Sequence, residues 1–195
     1  MPDNLLLSFL PSFLIRHPVL IFPSFYRAHC DIFLRGSTPT PAELEELLLS
    51  LAPVMTLTWM RQVYTFYSTS QPNSPPPIIL DADDIILNPS IVTTYVKLVG
   101  LDPSKLLFEW EVQNQEEFRK HAPEMPQAYQ RMMDTVFGST GIRKDKVAGE
   151  TDLDVEEKKW KAEFGDVVAT TLRRWTDAAV GDYHFLRERR LRPEV

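Results

Sequence analysis

A chain of 195 residues, 44% hydrophobic and 25% charged, is long enough for one domain with a real core and has the composition of an ordinary soluble globular protein. The net charge of −6 argues against a generic nucleic-acid or membrane-surface partner, while leaving room for a local basic pocket. One cysteine, Cys30, excludes an intrachain disulfide and suits a reducing, cytoplasmic setting; with four scattered histidines it offers no metal-ligand spacing, so no metal is expected.

Pro2-Asp3-Asn4 marks a turn or helix start. The apolar run from Leu5 to Leu14 reads as a buried helix end leading into a strand. No basic residue precedes it and Pro11 interrupts it, unlike a secretion signal. Arg16, His17, Pro18 and Pro23 break any stretch long enough to span a bilayer. Phe13-Leu14-Ile15 is expected to be a buried strand, and Pro18 suits the first turn of the helix that follows. Arg16 then closes the strand at its carboxyl end, where open α/β sheets bind ligands. Ser24 follows eight residues later on the helix, so a guanidinium fork and a hydroxyl could converge on one phosphate. The alternative is a surface Arg16 and an ordinary helical Ser24. Phe22, Phe25, Tyr26 and Phe33 are expected in the core.

Thr40-Pro41-Ala42-Glu43 opens a helix with Thr as cap and Pro as first residue. The helical pattern runs to Tyr67 and is split at Pro53, with Trp59 and Tyr64 expected to pack. Ser68 to Pro77 is a stiff proline-rich connector. Ile78-Ile79-Leu80 is a second buried strand, ending in Asp81, Asp83 and Asp84. These acids read either as a metal or general-base cluster or, more simply, as Asp83 or Asp84 capping a short helical turn. Ser90 to Val99 is a helix closed by Gly100 in the left-handed conformation. Gln113 to Met133 has helical spacing and is expected to border the cleft. Between Gly138 and Lys144, two glycines allow close backbone approach and Arg143 and Lys144 bring positive charge; a solvated turn is the alternative. Leu172 to Leu191 is a last helix with Trp175, Ala178, Ala179, Tyr183 and Leu186 on its apolar face and basic residues from Arg187 to Arg192 at its end, where cations favour the dipole.

Two of these blocks resemble one family. Arg16, Ser24 and Tyr26 resemble the 3′-phosphate-binding segment of the P-loop sulfotransferase superfamily. The stretch from Pro77 to Glu111, with Asp83-Asp84-Ile85, Pro89, Gly100-Leu101 and Trp110-Glu111, is similar to a segment of bacterial and fungal sulfotransferase-like proteins. The loop carrying Gly141, Arg143 and Lys144 looks like the basic loop that clamps the same phosphate. The resemblance implies an α/β fold: a truncated P-loop-type parallel sheet flanked by helices, with a helix-rich C-terminal half, as one domain over residues 1–195. It implies 3′-phosphoadenosine 5′-phosphosulfate as donor, held by Arg16, Ser24, Gly141, Arg143 and Lys144, and a small hydroxylated acceptor, with fungal secondary metabolism as context. The family's N-terminal phosphate loop has no counterpart here: G-x-x-x-x-G-K-[ST] is absent, and no catalytic base is assigned. His17 and His29 are the nearest histidines to the site. A non-catalytic core that binds a partner chain or a second copy is therefore the alternative.

Overall fold

The computed structural model describes residues 3–34, 37–71, 74–112, 133, 137–149 and 151–192. Two short strands, β1 (Ser12–Ile15) and β2 (Ile78–Asp81), pair in parallel with Ser12 opposite Ile78 and Ile15 opposite Asp81. Both are the expected apolar runs, but β1 is not the buried strand expected: of its four residues only Ile15 is buried, because among the described residues one face of the strand has no element packed on it. A parallel pair needs a long crossover, and α2 (Pro18–His29), α3 (Pro41–Leu51) and α4 (Thr58–Ser70) supply it. After β2 come α5 (Ala82–Leu87) and α6 (Ser90–Leu98) and, later, α7 (Leu153–Phe164) and the long α8 (Asp166–Glu188); a four-residue α1 (Asp3–Leu6) precedes β1. The mixed α/β architecture, a small parallel sheet flanked by helices, is the one expected.

Local chemistry accounts for the boundaries. Pro18 stands in the first turn of α2, and the His17 ring accepts from Val19 N as its cap. Thr40 and Glu43 form a full capping box on α3, each side chain satisfying the other's backbone. After α6 the Leu101 N–H reaches back to the Val96 carbonyl at 2.9 Å, with Gly100 at φ +76°.

The core has two parts. Val19, Phe22 and Tyr26 of α2 pack with Leu47 and Leu51 of α3, Trp160 of α7, and Val168, Leu172, Trp175 and Ala179 of α8. A second cluster presses one face of the sheet against α4 and α8 through Ile15, Ile79, Tyr64, Tyr183 and Leu186. The opposite face of β1 is open: Leu14 is 60% exposed.

Several expectations are corrected. Leu5, Phe9 and Leu10 are exposed, so the N-terminal apolar run is not a buried helix end. Phe33 and Trp59 are also exposed, because each sits on the solvent side of its helical segment; the Trp59 indole N–H donates to the Pro53 carbonyl. The last helix begins at Asp166, six residues before Leu172, and Ala178 faces solvent. The expected cleft-bordering segment from Gln113 lies almost wholly outside the described residues.

Candidate functional site at the strand ends

Asp81 is the last residue of β2 and is fully buried. Its carboxylate accepts from the backbone N–H of Asp83 and so caps α5, the role assigned from sequence to Asp83 or Asp84. The reason is position. Only the residue that leaves the strand in extended conformation can turn its side chain onto the first helical N–H groups. Asp81 also accepts from the Tyr183 hydroxyl at 2.8 Å, and Arg187 Nε stands 3.4 Å from it as an ion pair. Burial, with the charge of Asp81 next to it, pushes the Tyr183 hydroxyl pKa up. Asp84 pairs with Arg190 Nε at 2.5 Å. The basic residues after Tyr183 are therefore more than a dipole-favoured tail: two of them clasp the end of β2. Asp83 takes neither cation. It accepts from Ala148 N at 3.1 and 3.2 Å through its two oxygens.

Arg16, at the end of β1, is aimed at the same segment. Its Nη2 donates to the Lys146 carbonyl at 2.6 Å, while its Nε is buried without a hydrogen-bond partner. Residues 145–149 thus lie against the carboxyl ends of both strands, tethered by Arg16 from one and Asp83 from the other. Sequence reasoning did not single out Lys146 or Ala148, and it placed Asp81 in the acidic cluster without its role as the cap of α5 and the acceptor of Tyr183. One signal for Asp81 was legible: acids three residues apart at Asp81 and Asp84 match arginines three apart at Arg187 and Arg190.

His17 is next to Arg16. Because Nδ1 accepts from Val19 N at 3.2 Å, the neutral ring carries its proton on Nε2. The ring stands edge-on to Tyr183, with centroids 4.9 Å apart. Burial first, then His184 and Arg187, lower its pKa from the usual 6.5. The folded state therefore binds fewer protons than the unfolded chain just below 6.5, and stability falls as pH drops through that window. Urea midpoints at pH 5.5 and 7.5 should differ more in the wild type than in His17→Asn, which keeps a capping side chain; equal differences would remove His17 as the cause.

The remaining expected residues are spread out. Ser24 is exposed on α2 and makes no hydrogen bond among the described residues. Gly141 forms an antiparallel bridge with Glu109, and a Cβ there would stand 3.0 Å from the Phe108 carbonyl. The close approach made possible by this glycine is to the chain itself. Gly141, Arg143 and Lys144 line a cavity of about 630 Å³ with Pro89, Phe108, Glu109, Trp110, Thr140 and Ile142. Asp145 pairs with Arg143 at 2.6 Å and raises its pKa further, so part of the guanidinium's fork is already taken within the loop. Among the described residues no hydrogen bond or ion pair joins Ser24, Gly141, Arg143 or Lys144 to Arg16; the loop meets Arg16 further on, at Lys146.

No family model matches the chain, and no solved structure matches it. It is similar along its whole length to two curated proteins. It is 41% identical over 202 aligned residues to sulfotransferase ppzF of Metarhizium majus (strain ARSEF 297) and 40% identical to sulfotransferase ppzF of Metarhizium rileyi (strain RCEF 4871). It spans 56% of the length of each of these relatives.

Proposed function

We propose that this chain is the nucleotide-binding part of a sulfotransferase of the P-loop kind. Arg16 would hold the 3′-phosphate of 3′-phosphoadenosine 5′-phosphosulfate at the strand ends, and the donor would pass its sulfuryl group to a small hydroxylated metabolite. The observation that carries the reading is the buried, unpartnered Nε of Arg16 at the carboxyl end of a parallel strand. An orphaned guanidinium N–H is a strong donor awaiting an oxyanion. The similarity to two proteins named sulfotransferase supports it independently. Ser24, and Gly141, Arg143 and Lys144 across the 630 Å³ cavity, are the further residues we assign to the nucleotide. Fungal secondary-metabolite synthesis is the setting proposed for the acceptor.

Calorimetric titration with 3′-phosphoadenosine 5′-phosphate tests the reading. Saturable binding is expected, weakened about tenfold or more in Arg16→Ala, in keeping with loss of a charge-assisted hydrogen bond. Equal behaviour of the two proteins would sink it. A second reading, a non-catalytic core that binds a partner chain or a second copy, is favoured by the exposure of Leu14 on the open face of β1. The mass in solution, alone and after such a partner is added, tests that reading.

A further inference from the structure

We infer that Asp83 stands in the place of the phosphate: it is an internal anion that fills the donor cradle beside Arg16 and is displaced when an outside phosphate binds there. The inference rests on the strand-end reading just given. Three kinds of donor meet at this point. The Ala148 N–H reaches both oxygens of Asp83, and the adjacent Gly149 N–H is near enough to favour its charged form. Successive backbone N–H groups turned onto one carboxylate, with Gly149 at φ +57°, make the concave arrangement that holds anions. The third donor is Arg16, close enough for its charge to stabilise the Asp83 carboxylate.

The present occupant satisfies this cradle incompletely. Arg16 gives one N–H to the neutral carbonyl of Lys146 and leaves Nε with none. An oxyanion is a stronger partner for a guanidinium than a peptide carbonyl is. A phosphate has enough oxygens for the Arg16 fork and for both loop N–H groups; a carboxylate fixed at the start of α5 does not.

Asp83 is also the member of the acidic trio that is free to yield. From α8 and the turn after it, Tyr183 and Arg187 serve Asp81, and Arg190 serves Asp84. From β1 and the start of α2, Arg16 faces Asp83 through its charge, and the His17 ring is committed to Val19 N. Among the described residues the Asp83 carboxylate is thus hydrogen-bonded by backbone only, with no side chain paired to it directly, at 6% exposure and near the like charge of Asp81. Burial and that neighbour push its carboxyl up from the ordinary range, against the pull of Ala148 and Arg16. Its charged form is disfavoured by burial and by Asp81, which fits a group that gives way to a stronger anion.

The test is the affinity of wild type, Asp83→Asn and Arg16→Ala for 3′-phosphoadenosine 5′-phosphate by calorimetry. Asn keeps the size and an acceptor for Ala148 N–H and removes the competing charge. Asp83→Asn is expected to bind about tenfold more tightly than wild type, the scale of one like charge removed at close range. Equal or weaker binding by Asp83→Asn overturns the proposal. If binding is lost in Arg16→Ala and unchanged in Asp83→Asn, the nucleotide site stands and Asp83 is no plug. If none of the three proteins binds, both fall. Should Asp83→Asn fail to fold, the wild type decides. The assigned side-chain carboxyl carbon resonance of Asp83 must move as the nucleotide saturates the protein, and a resonance that stays in place overturns the proposal.

Discussion

Asp81→Ala is expected to lower the unfolding free energy by about 3 kcal/mol, the sum of a lost helix cap and a buried hydroxyl left without a partner. The carboxylate does three jobs from a position with no solvent exposure. It caps α5 through Asp83 N at 3.0 Å, it accepts from the Tyr183 hydroxyl at 2.8 Å, and it faces Arg187 at 3.4 Å. Water cannot take over for Tyr183, whose ring is only 1% exposed. The share of Arg187 is discounted, because its side chain is 43% exposed, although the Nε that faces Asp81 is itself buried. Asp81→Asn keeps the shape and an acceptor and should cost less than half as much. Urea unfolding with an unchanged slope measures both. A loss below 1 kcal/mol for the alanine variant would show that Asp81 does not tie the sheet to α8.

Trp160→Ala should cost more still, about 3–5 kcal/mol, as large aromatic truncations in packed cores do. Trp160 is 2% exposed and lies in the cluster where α2, α3, α7 and α8 meet. Leu153 and Phe164 pack at the edge of the same cluster, Phe164 edge-on to Tyr26 with centroids 5.1 Å apart. The polar ties of α7 are Arg27 to Glu163 and Arg173 to Asp154 and Glu157, pairs with at least one well-exposed partner or a long separation. Such pairs are each worth less than about 1 kcal/mol. The indole is the one fully buried side chain of α7 and its largest single anchor. Trp160→Phe should recover most of the loss. A melting temperature within a few degrees of wild type for Trp160→Ala would mean that α7 is not part of the cooperative core.

The strands and the capped helices were legible because they depend on neighbours in sequence. Phe13 to Ile15 and Ile78 to Leu80 are short apolar runs bounded by proline and charge, and both became strands. Thr40, Pro41 and Glu43 carry their own helix start within one turn. Long-range geometry was not legible. Gly141 read as a place for a ligand, yet the backbone brought close to it is that of Phe108, over 30 residues earlier. Trp59 looked like a core residue by type, but its helix turns it outward. The arginine at the end of β1 was visible as a candidate anion ligand; that residues 145–149 would lie against it was not, since nothing in Lys146 to Gly149 marks a partner more than 120 residues away.

The end of β2 has a consequence for how the chain is made. Asp81, Asp83 and Asp84 find their partners at Ala148, Tyr183, Arg187 and Arg190, and the Leu191 N–H closes on the Ile79 carbonyl at 2.7 Å. During synthesis the strand emerges from the ribosome 65 residues before Ala148 and 102 or more before Tyr183 and the two arginines. Until then its acids are unpaired and its hydrogen-bonding edge is bare, so this half of the sheet can settle only after α8 has been translated. Contacts so far apart in sequence slow folding and prolong the exposure of an open strand. A helper that shields β2 on the nascent chain would act in that interval.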